Sequence, residues 1–377
     1  MLPIVPQFYM RGVGGAFSSA TQLPQRERWQ RYTHTIVDTG GFESATLRAT
    51  MDGDAAAMWM ERLMAGVVVY SADGDIVWEG FVSGVAVDFG GESLDLNIHA
   101  MANAVTVRYR DDKNVEQVTA TTINSLSIAT FGRKELIYRM SGRSSAYATA
   151  VRDRLVAERA RPRATRRSSV GGATLRDLAD VTITCTGWYY TLDWLTTSSV
   201  TTATAITTTQ VQNLITAYNS TNSFFSTNWR GIVASGLNES QAIALDTTYR
   251  RAIEDLLDSG NSSGQRQAWG VYEYRQLQVT AWAGATPAIP TYQRDASERV
   301  IRNFSGRATV PLAEVRPNAM YQVVNLLGGN TRSTTVDLAT RVYIARIAYE
   351  CDDTGAERIT LEPGQATSLD ALLARVR

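Results

Sequence analysis

The chain is predicted to be a β-dominated α+β protein, with two similar β-barrel-like domains, N- and C-terminal, and α/β and helical material inserted between them. Two strand–turn–strand blocks carry this expectation. The first is Ile76 to His99 (IVWEGFVSGVAVDFGGESLDLNIH) and the second Arg341 to Leu361 (RVYIARIAYECDDTGAERITL). Each sets two β-rich runs around a short Gly-containing turn, the signal of an antiparallel hairpin. A small apolar run follows each, Ala100 to Val107 and Ser368 to Val376. A third observation is the change of character between the blocks, where Thr196 to Gln210 (TTSSVTTATAITTTQ) introduces a stretch of helical composition. Together these suggest an internal pseudo-repeat split by an insertion.

Taken in order, residues 1–27 form an N-terminal arm broken by Pro3 and Pro6, and 28–110 the first β-domain. Within it, residues 30–50 read as two short strands around Gly40-Gly41. Asp54 to Ala65 reads as a helix with Ala55, Met58, Trp59, Leu63 and Met64 on one face, and Gly66 stops it. Asp73-Gly74 is a hairpin turn between Val67–Tyr70 and Ile76–Glu79. Beyond it Phe81, Val85, Val87 and Phe89 alternate with Val82, Gly84, Ala86 and Asp88, which predicts one buried and one wet face.

Residues 111–195 form a small α+β domain. Ala146 to Ala160 is helical in composition and Pro162 ends it; Thr174 to Ala179 reads as a helical turn, and Val181 to Trp194 (VTITCTGWYYTLDW) as a strand. Residues 196–265 form a Thr-rich linker and helical insertion, with helices at Thr209–Ser220 and Asn238–Asp258, the second capped by Asn238. Residues 266–363 return to β-structure through Trp269–Trp282 and Ala319–Leu327, and 364–377 is a C-terminal helix or tail.

Composition excludes several functions. The 377 residues carry 37 basic and 37 acidic side chains, so no global charge drives the chain to nucleic acid or an anionic membrane. Only Lys113 and Lys134 are lysines; every other basic residue is arginine. Cys185 and Cys351 lie far apart in strand-like runs, with neither metal-ligand spacing nor a disulfide framework. The N-terminus lacks a signal-peptide n-region, and no run is apolar enough for a membrane span. No cofactor or metal is expected, and cytoplasmic synthesis is.

No catalytic residue is assigned. His34 and His99 lie on apparent strands without a nucleophile motif. The pairs Asp111-Asp112, Glu254-Asp255 and Asp352-Asp353 read as solvated turns and helical i,i+4 ion pairs, although a glycosidase pair is defined by spatial separation that sequence does not show. Gly12, Gly14 and Gly15 lack the strand–helix context of a phosphate loop. The basic run Arg152 to Arg167 offers Arg161, Arg163, Arg166 and Arg167 as candidate contacts for a partner or polyanion, against the plainer reading of a solvated helix face and flexible loop. The tryptophans and tyrosines fall mostly in strand-like runs, where packing is their commoner role.

Laid out this way, the chain resembles the tail-hub (baseplate hub) family of tailed bacteriophages. WEGFVSGVAVDFGGESLDLNIHAMANAV and RVYIARIAYECDDTGAERITLEPGQATSLDALLARV resemble its two β-barrel domains, and AVRDRLVAERARPRA with TITCTGWYYTLDW the α/β domains between them. The resemblance covers nearly the whole chain and contains no catalytic signature. It implies a non-enzymatic homotrimer in the virion tail, assembled in the host cytoplasm. Its six barrels would match the hexameric tail tube or distal tail ring on one side and hold tip, spike or fiber proteins on the other. DNA would pass transiently through it without sequence-specific binding. Residues 196–265 map to no standard hub element. Two alternatives stay open: a carbohydrate- or receptor-binding tail protein, and another tail ring such as the distal tail protein.

Overall fold

A computed structural model describes residues 2–10, 22–23, 28–141, 144–168, 178–197, 200–201, 204–281, 291–294, 300–303, 319–325 and 341–363. The predicted C-terminal helix or tail and most of the Thr174–Ala179 helical turn lie outside these residues. The β-dominated α+β class is observed.

The chain begins with β1 (Ile4–Tyr9), β2 (Arg31–Val37) and β3 (Thr39–Asp52). Asp52 then caps α1 (Gly53–Met60), its carboxylate accepting from the Ala55 N–H at 2.8 Å. This helix is shorter than predicted. The Met64 N–H donates to the Val82 carbonyl at 2.8 Å, so residues 61–65 are drawn onto the sheet as a turn with Met64 at φ +68°. The predicted hairpins follow as β4 (Gly66–Ser71), β5 (Ile76–Asp88) and β6 (Glu92–Asn97), paired antiparallel in sequence.

A second, four-stranded sheet comes next: β7 (Ala104–Arg110), β8 (Glu116–Val118) and β9 (Thr122–Ile123), then α2 (Ser125–Phe131) and β10 (Glu135–Met140), which pairs β7 in parallel. The predicted helix, α3 (Ser145–Arg159), packs Ala148, Val151, Leu155 and Val156 onto Val105, Val107 and Tyr109 of β7. It is followed by β11 (Arg163–Ser168) and β12 (Leu178–Gly187), after which Trp188–Asp193 turn as a 3-10 helix rather than continuing the predicted strand.

In the insertion, the Thr-rich segment is paired rather than extended: β13 (Val200–Thr201) and β14 (Ala205–Ile206) precede α4 (Thr207–Asn222). Asn238 is not a helix cap. It lies in β15 (Asn238–Glu239), which pairs β14, and β16 (Ala242–Ile243) pairs β13. The helix α5 (Tyr249–Asp258) starts only at Thr248, whose hydroxyl accepts from the Arg251 N–H. The run from Trp269 folds, as far as Ala281, as a hairpin of β17 (Gln267–Tyr272) and β18 (Gln276–Ala281), and Trp282 lies outside the described residues. The last strands are β19 (Thr291–Arg294), β20 (Val300–Asn303), β21 (Ala319–Asn325), β22 (Arg341–Asp352) and β23 (Glu357–Pro363).

The N- and C-terminal blocks share one sheet. Antiparallel pairing runs without interruption through β11, β6, β5, β12, β3, β2, β22 and β23, a ladder of eight strands. A strand has only two edges, so its shared residues locate the remaining strands. Gly80 and Phe81 of β5 pair both β4 and β12, which places β4 and β6 end to end along one edge of β5 with β12 on the other. By the same reasoning β21 and β2 lie end to end along one edge of β22, opposite β23. On β3, β12 and β17 share an edge, β17 in parallel, at a backbone approach that glycine permits: a Cβ on Gly41 (φ +86°) would lie 2.5 Å from the Val271 carbonyl oxygen.

The inner face of the ladder buries one core, from Phe8, Trp59 and Trp78 to Tyr32, Leu47, Ile183 and Tyr349. A second, aromatic core of Phe81, Trp188, Trp194, Tyr218, Phe224 and Leu256 covers the opposite face of β5 with α4, α5 and the β17–β18 hairpin. From Ile76 to Val85, β5 is therefore buried on both faces, and the predicted grouping of Phe81 with Val85 and Val87 does not hold: the irregularity at Ser83 puts Val82, Val85 and Val87 in the first core and Phe81 in the second. No helix among the described residues is long and apolar enough to cross a membrane.

Candidate functional site

The groups able to carry chemistry are absorbed by packing and turns. His34 stacks on Tyr349 at 5.1 Å between centroids, and its Nδ1 lies 3.0 Å from the Tyr32 hydroxyl, in the core where β2 meets β22. His99, in the turn after β6, is held below its ordinary pKa by burial and by the neighbouring Lys134 charge. Both thiols are buried, which raises them, Cys351 to about 12. Asp111 accepts from the Lys113 and Val115 N–H groups, and Asp352 from those of Thr354 and Ala356. Glu254 and Asp255 pair with Arg250 and Arg251 at i,i+4. These are the turn and ion-pair roles expected of them. Among the described residues no cluster of His, Cys, Asp and Glu could hold a metal ion. Trp29, Trp59, Trp78, Trp188, Trp194 and Trp269 are all buried, so they form no exposed sugar platform.

The four candidate arginines sit at one end of the ladder. Arg163, Arg166 and Arg167 lie on β11, every residue of which is exposed, and Arg161 lies just before it. The segment is thus a strand and not a flexible loop; antiparallel pairing with β6 gives its backbone partners on one side. Arg166 pairs with Glu92 at 2.6 Å and Arg163 Nε donates to the Glu158 carbonyl at 3.1 Å. Charged residues on an edge strand oppose further strand addition, which is one reason for arginine here.

Among the described residues, the face of the ladder opposite its inner core is lined by rows of cross-strand partners. One row of partners crosses all eight strands, Arg163, Asn97, Gly84, Thr184, Thr46, Thr33, Glu350 and Arg358. The next row runs Thr165, Asp95, Ala86, Thr182, Arg48, Arg31 and Asp352, and Arg167, Ser93, Asp88, Asp180 and Thr50 begin a third. At about 4.8 Å per strand the ladder is roughly 34 Å across. Within these three rows the side chains are mostly small and polar, and the arginines (31, 48, 163, 167 and 358) are matched in number by the acids (88, 95, 180, 350 and 352). These rows are polar and electrically balanced.

Sequence reasoning did not find the junction that positions this surface. Gly132 to Glu135 bond to each surrounding unit in turn. The Gly132 carbonyl accepts from Asn103 Nδ2, and Arg133 exchanges two hydrogen bonds with the Asn222 amide of α4. Lys134 Nζ donates to the Ile98 and His99 carbonyls at 2.9 and 2.8 Å at the end of the β5–β6 hairpin, and burial lowers its pKa to about 8. The Glu135 carboxylate accepts from the Thr196 N–H and hydroxyl. One signal for it was present: Lys134 is one of only two lysines in a chain whose other cationic side chains are arginines.

No protein-family profile and no curated protein matches the chain. Among solved structures, the chain is similar to a tail protein from Neisseria meningitidis, with 8% identity, a TM-score of 0.45, and 96% of this chain and 97% of that one covered. It is also similar to the 43 kDa tail protein of prophage MuSo2 from Shewanella oneidensis, with 10% identity, a TM-score of 0.42 and the same two coverages. The functional reading therefore stands on the chain's own residues and geometry.

Proposed function

We propose that the chain is a structural, non-enzymatic component of a bacteriophage tail: a homotrimeric hub that joins the hexameric tail tube to the tip or spike and lines the DNA passage. The observation that carries this reading is the eight-stranded ladder, which ties the N- and C-terminal blocks together and presents on one face rows of small, polar and charge-balanced side chains. A passage for a polyanion needs such a face. Matched positive and negative side chains give no net release of counterions, so phosphates slide past without being gripped. The engaged histidines, thiols and carboxylate pairs are consistent with a role without turnover. The β11 arginines, at the rim of the same face, are proposed as contacts to an acidic neighbour in the tail.

Mass measurement in solution tests the proposal. A trimer, three times 41.3 kDa, that binds isolated tail-tube rings and retains no duplex DNA at physiological salt is expected. A monomer that fails to join tube rings overturns it, and a hexamer favours a different tail ring.

A further inference from the structure

Glu79 is a buried carboxylate near the N-terminal end of β5, 7% exposed, on the face covered by the β17–β18 hairpin. The tip of that hairpin, residues 273–275, rests on it. Tyr274 (φ 59°) and Arg275 (φ 57°) are consecutive non-glycine residues in the left-handed region, a conformation costing on the order of 1 kcal/mol each. Successive backbone N–H groups in such a turn converge on an anion. Here the Arg275 N–H donates to Glu79 Oε2 at 3.3 Å, and the Tyr274 N–H also points at the carboxylate. The Arg275 Nε lies 3.9 Å from Glu79 Oε1, and its Cζ 5.9 Å from the centroid of the Trp188 ring. At the outer end of the tip, Tyr274 is 68% exposed.

We propose that Glu79 is a proton-operated latch for this hairpin tip: the neutral acid keeps the tip seated on β5, and the ionised carboxylate lets it lift into water. The sign follows from solvation. With the tip seated, Glu79 is buried away from bulk solvent, with the Arg275 Nε 3.9 Å from its carboxylate; with the tip lifted, it is an ordinary solvated carboxylate. Burial accordingly raises the seated acid from 4.5 to about 7, desolvation outweighing Arg275 and the two N–H donors. The seated state therefore holds a proton that the lifted state releases, and acid favours seating while alkali favours lifting. The other groups facing Glu79 do not reverse this. Glu273 on the tip adds negative charge and pushes in the same direction. Tyr70 on β4, hydrogen-bonded to Tyr9 of β1, is itself raised to about 12 and stays neutral throughout the range.

Amide hydrogen exchange on the full chain, corrected for the intrinsic pH dependence of exchange, tests the latch. Between about pH 5.5 and 8.5 the opening constant of residues 272–278 is expected to rise about thirty-fold, while amides of β12 stay unchanged. Glu79→Gln, neutral at every pH, should hold the tip at its acid-side protection across the range. A wild-type tip whose protection is flat or increases with pH overturns the proposal by itself, as does a folded Glu79→Gln variant that keeps the wild-type pH dependence.

Discussion

The strands β5 and β22 open the two hairpin blocks and obey the same local rules, yet they are used differently. Each has its preceding strand along the N-terminal half of one edge, β4 for β5 and β21 for β22, and another strand along the C-terminal half of that edge. For β5 that second strand is its own hairpin return, β6. For β22 it is β2, from the other end of the chain, and the return β23 takes the opposite edge. The repeat is thus one of a long strand with three partners and not of two separate modules. The surroundings also differ: β5 has a core on each face, whereas β22 places Ile347, Tyr349 and Cys351 against buried surroundings and keeps Glu350 on the polar face. A repeated hairpin signal specifies pairing between adjacent segments; it does not say which edge stays open for a distant strand.

Substitutions that remove packing break this comparison most strongly. Phe81→Ala empties a fully buried site against Trp188 and Trp194 and is expected to cost about 3–5 kcal/mol. Tyr349→Phe on β22 removes only the hydroxyl that donates to Glu357 at 2.5 Å, and should cost about 1 kcal/mol. Denaturant unfolding of both variants measures the difference, and equal losses would remove the distinction between a strand with two cores and one with less.

The junction beneath β5 gives a smaller, pH-dependent effect. Lys134 is lowered in the folded chain to about 8 from its ordinary 10.5, so between these values the unfolded chain holds more protons and wild-type stability rises with pH. The full gain is on the order of 3 kcal/mol. Lys134→Met lacks this dependence, so the stability difference between the two should move in favour of wild type from pH 8 upward and stay level below. Unfolding titrations across that range check it.

The smallest effect is expected at the ladder's end. Arg166 and Glu92 are both exposed, and Arg166→Ala should change stability by no more than about 0.5 kcal/mol. A loss of several kcal/mol would mean that the β11 pairing, and not the hairpin that precedes it, holds this end of the sheet.

Much of the local structure was legible because its causes are local. The turns at Asp73-Gly74 and Gly90-Gly91, the helix ended by Pro162, and the i,i+4 pairs of α5 all follow from residues within a few positions of one another. Where prediction failed, a distant partner decided. Asn238 suits a helix cap, but residues 205–206 take it into a strand pair. The segment after Pro162 looks like a loop until β6 supplies its hydrogen bonds. The candidate arginines were readable as a charged run, while the polar face beside them was not, because Thr33, Thr46, Thr184, Gly84 and Asn97 form one row only through the register of five strands.

By itself, then, the sequence determined the class of the protein, its hairpins, its main helix and the burial of most of its aromatics, since periodicity and turn chemistry act over a few residues. Only the tertiary structure decided that β2 receives β22, that β12 lies between β5 and β3, and that Gly132–Glu135 joins the units. Backbone edges accept any strand of suitable length and register, so the choice among them is made by which cores can be filled at once.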